Sequence, residues 1–424
     1  MRSAGGSRSM PERTRLPLFA LFAADAVSLV GNVAALIAIP WFVLQETGRP
    51  SLAGLVGFFT FLPPIVAGLL GGALVDRLGF RTASVLSDVA SAVAVAALPL
   101  LHVTLGLELP VLYALVFLGA LLDAPGATAR RALLPDVAEL AGMRIERATG
   151  IREGIQRGSI LVGAPLAGVL VAAVGALEML WLNAGSFLVS AALVGAAVPA
   201  AMHHDAEEDP GGYFAQLASG LRFVFRDRLV RAVLLTVLLT NFLDAPLTPV
   251  LMPVFVSEAF GSPVSLGLIL GTFGGFAFLS SLVFSAVGHR LPRRKTFVLA
   301  FMAASLPYIA LSTLPSLPVT LVIAAAWGLA AGPLNPVLAV VAYERVPGPM
   351  RGRVFGVGMA GSYAAIPLGP LLGGIVVEAV GIQPTLLAIG LFYLAVTGYG
   401  LVNPAFREMD HPSAPLPQAG SPAP

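Results

Sequence analysis

The 424-residue chain contains no cysteine and a single lysine, Lys295, and only 11 % of its residues are charged. Without cysteine the chain has no disulfide and no thiolate metal site. Soluble proteins carry about a quarter charged residues, so the low charge excludes an ordinary globular domain. Because 57 % of the residues are hydrophobic and the apolar runs continue for about 18 residues or more, the composition predicts an all-α membrane protein and not a β-barrel.

Sequence signatures of membrane-bound enzymes and primary pumps are missing as well. The histidines form no HExxH pair, and no G-x-x-x-x-G-K-[ST] motif is present to bind a nucleotide. His203 and His204 lie beside acidic residues and are compatible with a metal site, but a polar linker is the simpler interpretation. We therefore expect no enzymatic activity, no cofactor, no metal and no nucleic-acid partner.

Twelve apolar segments are predicted to cross the membrane. Their predicted bounds are 16–44, 51–75, 81–102, 109–129, 150–174, 177–199, 230–256, 264–288, 296–314, 318–342, 353–380 and 384–403. They predict an N-terminal tail (1–15), a six-helix bundle (16–200), a linker (201–228), a second six-helix bundle (229–403) and a disordered tail (404–424). The linker is amphipathic from 213 to 225, which predicts a helix lying on the membrane surface.

Basic residues are segregated to one side of the predicted membrane. Of the 25 Lys and Arg residues, only Arg49 falls in a loop on the side away from the termini. By the positive-inside rule, both termini are predicted to be cytoplasmic. The arginine-rich, lysine-poor composition with abundant Ala, Gly and Pro suggests a GC-rich coding sequence, so we expect a multi-pass protein of a bacterial inner membrane.

The two halves of the chain resemble each other. When residue n is compared with residue n + 213, the matches include Pro40 with Pro253, Gly48 with Gly261, Arg77 with Arg290 and Arg81 with Arg294. When it is compared with residue n + 206, they include Gly163 with Gly369, Leu166 with Leu372 and Gly168 with Gly374. Because each half has six spans, both copies insert the same way up, and the repeat is predicted to be parallel.

A charged, glycine-bearing turn separates spans 2 and 3. Its sequence, Gly72-x-x-x-Asp76-Arg77-x-Gly79-x-Arg81, resembles the signature loop of the major facilitator superfamily, and residues 288–294 form a degenerate second copy. The resemblance covers essentially the whole chain. It implies the major facilitator fold, with twelve transmembrane helices in two parallel, pseudo-symmetric six-helix bundles.

The functional hypothesis for this turn is a conformational latch. Asp76 is expected to face the positive N-terminal end of span 11 near Arg353, while Arg77 and Arg81 reach carboxylates or lipid phosphates. These contacts would hold the cytoplasmic ends of the halves together in the outward-facing state and break in the inward-facing state. The alternative is a simple positively charged turn on the cytoplasmic side.

The segments Ala132-Leu133-Leu134-Pro135-Asp136 after span 4, and Val346-Pro347 with Arg351-Gly352-Arg353 before span 11, resemble the drug:proton antiporter branch that includes macrolide and siderophore exporters. The segments Gly163-Ala164-Pro165-Leu166-Ala167-Gly168 and Gly369-Pro370-Leu371-Leu372-Gly373-Gly374 are similar to the Gly-Pro motif of antiporters. Span 4, predicted to end at 129, lacks the mid-membrane arginine of many proton antiporters, and span 1 has Asn32 where relatives often place an acid. The resemblance implies a monomeric transporter that is driven by the proton gradient and carries amphipathic small molecules.

Charged residues inside the spans are candidates for function, because a charge in hydrocarbon is costly. Asp25, Asp88, Asp123 and Arg157 are predicted at similar depths, which suggests a buried network in the first half with Asp88 facing Arg157. Asp123 has an alternative interpretation as a partner of Arg77 or Arg81.

In the fold that the resemblance implies, spans 1, 4, 7 and 10 line a central cavity. The polar candidates on those spans are Asp25, Asn32, Asp123, Asn241, Asp244 and Asn335. We expect Asp25 or Asp244 to be the proton-coupling acid. The aromatic candidates are Phe58, Phe61, Phe242, Trp327 and Tyr363, although packed core or lipid contact would explain each of them too. An apolar cavity with acids suits amphipathic, often cationic, compounds. A lysophospholipid translocator on the same fold is the alternative function.

Overall fold

The computed structural model describes residues 14–199 and 213–410, without the side chains of 68–74, 76, 213–217, 289 and 349. The described chain is almost entirely helical. Twelve of its segments are long and apolar enough to cross a membrane. The chain is therefore a multi-pass membrane protein, and the predicted number of spans is confirmed.

The observed spans begin and end close to the predicted positions, with two exceptions at one turn. In the first half they are Leu16–Thr47, Pro50–Leu78, Phe80–Thr104, Leu109–Leu140, Ile145–Val174 and Leu180–Ala197. In the second half they are Arg228–Ala259, Pro263–Val287, Arg293–Leu311, Leu317–Arg345, Arg351–Val380 and Ile382–Val402. Span 4 continues to Leu140 instead of ending at 129, and span 5 begins at Ile145 instead of 150.

Spans 7, 10 and 11 are each interrupted near the middle. The interruptions are residues 245–246, 332–333 and 364–367, and a π-helical turn, Leu247–Leu251, follows the first of them. Each interruption contains a proline (Pro246, Pro333 and Pro367), which lacks a backbone donor and clashes with the preceding helical turn. The described interruptions of the helical hydrogen-bond pattern within spans therefore all lie in the second half.

The halves meet through two pairs of helices. We name the side on which spans 1 and 7 begin, at Leu16 and Arg228, the terminal face, and the other side the opposite face. Span 2 packs against span 11 and span 5 against span 8, in each case near the opposite face. Two-fold pseudo-symmetry requires this pairing, because span 2 corresponds to span 8 and span 5 corresponds to span 11.

Matching glycine contacts confirm the internal repeat. A Cβ atom on Gly374 would lie 2.6 Å from the carbonyl oxygen of Pro50, and one on Gly168 would lie 2.5 Å from the carbonyl oxygen of Pro263. Gly168 and Gly374 are related by the offset of 206, and Pro50 and Pro263 by the offset of 213. Both junctions therefore allow the backbones to approach closely, as small residues permit in membrane helices.

Spans 5 and 11 behave differently near the terminal face. A Cβ atom on Gly154 or Gly158 of span 5, or on Gly352 or Gly356 of span 11, would meet no atom within 4 Å among the described side chains. The same two spans are in close contact with the other half near the opposite face, so the close junctions between the halves lie at the opposite face.

The linker helix, Tyr213–Arg226, packs on the terminal half of span 11. Its Phe223 and Val224 are buried in one cluster with Val354 and Val357. Protein therefore covers these two apolar residues, whereas Leu221 and Phe225 of the same helix are exposed. That the helix lies on the membrane surface stays a prediction.

The start of the predicted disordered tail is also corrected. Residues 404–410 form a 3₁₀-helix in which Phe406 and Met409 are buried. The predictions for residues 1–13, for the linker segment 200–212 with His203 and His204, and for 411–424 lie outside the described residues.

Candidate transport pathway

A buried ion-pair network joins five spans of the first half. Arg130 of span 4 is 2 % exposed, and it donates from Nε to Asp25 Oδ1 at 2.9 Å and from Nη1 to Asp88 Oδ1 at 2.7 Å. Arg152 of span 5 donates to the second oxygen of Asp25 at 3.0 Å, and Ser190 of span 6 donates to the second oxygen of Asp88 at 2.7 Å. All four carboxylate oxygens are satisfied, which is the condition under which a buried ion pair is tolerated.

The structure brings Asp25, Asp88 and Asp123 together around a different base from the expected one. Asp88 pairs with Arg130, and not with Arg157 as expected. Because span 4 was predicted to end at residue 129, Arg130 was placed outside the membrane. The helix in fact continues for ten residues beyond Arg130, to Leu140, so the prediction that span 4 carries no internal arginine is wrong.

Asp123 of span 4 is the incompletely bound member of the network. Its Oδ2 accepts a hydrogen bond from Asn32 Nδ2 at 3.0 Å, and its side chain is 22 % exposed. Its Oδ1 is buried 3.9 Å from Arg130 Nη2 and has no hydrogen-bond partner among the described residues. The alternative that Asp123 pairs with Arg77 or Arg81 is therefore wrong. Its Oδ1 is the acceptor in this network that lies near Arg130 without a hydrogen bond to it.

Asp244 ends the first helix of span 7, directly before the interruption. Its Oδ1 accepts from the Tyr308 hydroxyl at 2.6 Å and its Oδ2 from the Tyr393 hydroxyl at 3.3 Å. The tyrosines belong to spans 9 and 12 and are 0 % and 1 % exposed. Among the described residues no cation forms an ion pair with Asp244, in contrast to Asp25 and Asp88.

Residues on either side of Asp244 contact span 11. Asn241 Nδ2 donates to the carbonyl oxygen of Ser362 at 2.9 Å, just before the interruption of span 11. Pro246 packs against Gly373, just after it. The end of the helix that carries Asp244 is therefore in contact with span 11 on both sides of its interruption.

The aromatic candidates have different environments. Trp327 is 5 % exposed and packs between Phe273 and Tyr308, with ring centroids 5.4 and 4.8 Å away. It belongs to the core of the second half, so its prediction as a cavity residue is wrong. Tyr363 is 52 % exposed at the interruption of span 11. The half-buried candidates are Phe58, Phe61 and Phe242, and Asn335 is exposed after the interruption of span 10.

The charged turn between spans 2 and 3 is tight. Gly79 has φ +77°, a conformation that favours glycine, and it directly connects the two helices. Arg77 is exposed, and Arg81 Nη2 donates to the carbonyl oxygen of Gly195 at the end of span 6. The expectation that Arg81 binds a carboxylate or a phosphate is thus corrected, while the surroundings of Gly72 and the side chain of Asp76 lie outside what the structure describes.

The second half repeats this arginine contact. Arg294, at the start of span 9, donates from Nη2 to the carbonyl oxygen of Leu401 at the end of span 12, at 2.5 Å. Arg81 and Arg294 are related by the offset of 213, and Gly195 and Leu401 by the offset of 206. A guanidinium at a helix C-terminus satisfies a free carbonyl and complements the helix dipole. The pairing of the two offsets is the signal in the sequence that points to this contact.

The Gly-Pro motifs lie at the junctions between helices. The contacts are Gly163 with Val33, Pro165 with Gly271, Gly168 with Gly267, Gly369 with Phe242, Pro370 with Gly57, Gly373 with Pro246 and Gly374 with Gly54. Most of these pairs connect one half to the other near the opposite face. The motifs therefore supply the close contacts that shut that face.

Comparison with known proteins agrees with this architecture. The sequence profile of the Major Facilitator Superfamily matches residues 21–247 and 234–422. Multidrug efflux pump Tap of Mycobacterium tuberculosis (strain ATCC 25618 / H37Rv) is 33 % identical over 410 residues, which are 95 % of this chain and 96 % of that protein. Macrolide efflux protein A of Streptococcus pyogenes is 22 % identical over 408 residues, 93 % of this chain and 97 % of that protein.

A solved structure shares the fold. The crystal structure of a bacterial homologue of the human lysosomal transporter Spinster, in an inward-facing and unoccupied conformation, aligns with a TM-score of 0.73 at 15 % identity, over 96 % of this chain and all of that chain. These proteins are transporters and not enzymes, so the prediction of a transporter that resembles the drug-efflux branch is confirmed. This chain belongs to the major facilitator superfamily.

Proposed function

We propose that this chain exports amphipathic small molecules across a bacterial cytoplasmic membrane in exchange for protons. The relationship to a multidrug efflux pump over 95 % of the chain supports export of small molecules. The basic residues support an orientation with the terminal face in the cytoplasm, since Arg49 alone is predicted in a loop of the opposite face. With this orientation, the close junctions of spans 2 and 11 and of spans 5 and 8 lie on the side away from the cytoplasm, and the substrate enters from the terminal face.

The environment of Asp244 is the observation that carries the proton-coupling part of the proposal. A carboxyl group at membrane depth without a cationic partner is suited to bind and release a proton. Asn241 and Pro246, on either side of it, contact span 11 before and after its interruption. A change in the charge of Asp244 would therefore act on the helix that closes the opposite face against span 2.

Asp123 is a second candidate for proton exchange. Its Oδ1 needs to move by only about 1 Å to hydrogen-bond to Arg130, which now binds Asp25 and Asp88. Asp25, by contrast, is held by two arginines and serves mainly to join spans 1, 4 and 5. The proposal therefore retains Asp244 from the sequence analysis and replaces Asp25 with Asp123.

The substrate class follows from the combination of acids and aromatic side chains. Phe58, Phe61 and Phe242 are half-buried, and in this proposal they offer apolar surface to the ligand. Aromatic faces and carboxylates attract cations that carry an apolar body. Cationic amphiphiles such as ethidium are therefore suitable probe substrates.

Everted membrane vesicles test the proposal. With an imposed proton gradient, Asp244→Asn is expected to reduce ethidium transport at least ten-fold, and Asp123→Asn is expected to reduce it as well. Glu108→Gln is the control, because Glu108 is exposed on the opposite face before span 4. Undiminished gradient-driven transport in both aspartate variants contradicts proton coupling through these residues. Translocation of a lysophospholipid without any gradient would favour the lipid translocator instead.

A further inference from the structure

A groove of about 720 Å³ lies between spans 7 and 12 at their terminal ends. Leu235 and Leu239 of span 7 form one wall, and Val396 and Tyr399 of span 12 form the other. Phe406 of the C-terminal 3₁₀-helix also lines the groove. Leu235 is 52 % exposed and Tyr399 is 61 % exposed, so the apolar walls are accessible from outside the protein.

The corresponding junction of the first half is closed. There Leu18 of span 1 is 0 % exposed. It shares a buried cluster with Val194 of span 6 and with Val198, which directly follows that span. The residue 213 positions after Leu18 is Arg231, which is exposed and lines the groove. The groove is therefore a feature of the second half alone and does not follow from the shared fold.

The entrance of the groove carries positive charge. Arg228 and Arg231 are both exposed and line it. Arg231 Nη1 donates to the carbonyl oxygen of Phe225 at 2.6 Å, and neither arginine forms an ion pair with a carboxylate among the described residues. The one acid lining the groove, Glu408, is bound by Arg345 at 2.6 Å.

The length of the groove matches one leaflet of a bilayer. From Arg228 to Leu239 a helix rises by roughly 16 Å, at about 1.5 Å per residue. Half of a hydrocarbon core is about 15 Å thick. The arginines, at the start of span 7, thus lie at the level of the lipid phosphates when the leucines face the acyl chains.

We propose that this groove binds an anionic phospholipid from the leaflet at the terminal face. The phosphate contacts Arg228 and Arg231, and one acyl chain lies along Leu235, Leu239 and Tyr399. A zwitterionic lipid of the same chain length offers the same apolar contacts but carries a cation beside its phosphate, so it is bound more weakly. Because residues of the C-terminal 3₁₀-helix also line the groove, the bound lipid lies beside that helix as well.

Native mass spectrometry of the full-length protein, purified and stripped of lipid, tests this site. Phosphatidylglycerol is expected to bind at least ten-fold more tightly than phosphatidylcholine with the same chains, and to raise the temperature of thermal unfolding. The double variant Arg228→Gln, Arg231→Gln is expected to lose that preference. The double variant Arg228→Lys, Arg231→Lys retains the charge and is expected to retain the preference in large part.

Arg222→Gln is the matched control, because Arg222 is exposed on the linker helix and does not line the groove. It should bind phosphatidylglycerol like the unaltered protein. Equal binding of the two lipids by the unaltered protein overturns the proposal without any variant. An undiminished preference in the double glutamine variant overturns the assignment to this groove.

Discussion

Arg49 and Glu378 form an ion pair between the two halves at the opposite face, with Arg49 Nη2 3.0 Å from Glu378 Oε1. The second carboxylate oxygen accepts from the backbone N–H of Ser51 at 3.0 Å. The repeat-related positions between spans 5 and 8 are Ser262 and Ala172, which cannot form such a pair. The only basic residue predicted in a loop of the opposite face is thus used to hold that face closed.

Glu378→Gln is therefore expected to increase the population of molecules that are open at the opposite face. Since the chain has no cysteine, spin labels can be attached at Gln45→Cys and Val380→Cys, which are exposed positions on that face in different halves. Electron paramagnetic resonance distances between the labels should lengthen in the variant.

Glu46→Gln, at an exposed neighbouring position, is the control and should leave these distances unchanged. Because Arg49 is exposed, 1 M salt should screen the ion pair and also lengthen the label distances. Identical distance distributions in Glu378→Gln and the unaltered protein would disprove the role of this pair.

Gly374→Ala should also weaken closure of the opposite face. The added Cβ would lie 2.6 Å from the carbonyl oxygen of Pro50, which is closer than packed atoms allow. We expect longer label distances and slower transport than in the unaltered protein. Gly356→Ala, on the same span but with no atom within 4 Å of its Cβ, is the control and should show neither effect. A normal transport rate in Gly374→Ala would mean that the junction opens without cost.

Arg130→Leu should destabilise the first half strongly. It leaves Asp25 and Asp88 buried with less compensation, and removing one partner of a buried ion pair typically costs about 3–5 kcal/mol. A lower temperature of thermal unfolding in detergent is the expected result, and adding Asp88→Asn should restore part of the loss. Arg157→Leu, at the base that the sequence analysis favoured, should change stability by less than about 0.5 kcal/mol. The reverse order of the two effects would contradict the network.

Tyr308→Phe should slow gradient-driven transport more than Tyr393→Phe does. The Tyr308 hydroxyl is 2.6 Å from Asp244 and that of Tyr393 is 3.3 Å away, so the first variant removes the stronger hydrogen bond. We expect a reduction of about ten-fold for Tyr308→Phe, which corresponds to about 1.4 kcal/mol. Ethidium transport in everted vesicles measures it, with Tyr343→Phe as the control, because Tyr343 is exposed and its ring lies against Arg351 and Phe355, away from Asp244. Equal rates in all three variants would remove Asp244 from the coupling reaction.

Much of the architecture was predictable because membrane insertion depends on local composition. A backbone in hydrocarbon must satisfy its own hydrogen bonds, so each long apolar run had to be a helix, and twelve runs became twelve spans. The offsets of 213 and 206 also predicted the parallel repeat, since glycine and proline matches such as Gly168 with Gly374 reflect backbone contacts that few other residues allow. The depth of Asp25, Asp88 and Asp123 along their helices was enough to group them.

Partner choice was decided by the tertiary structure alone. Arg130 replaced Arg157 as the base of the network because span 4 continues past the apolar run that hydropathy detects, and only packing against spans 1, 3 and 5 makes that extension buried. The sequence suggests that Trp327 lines the cavity, yet its ring packs against Tyr308. Phe223 lies in the amphipathic segment 213–225, yet it is buried in a cluster with Val354. The chain by itself thus determined its spans, its repeat and its acids, whereas long-range packing decided which charges meet and which apolar faces remain free.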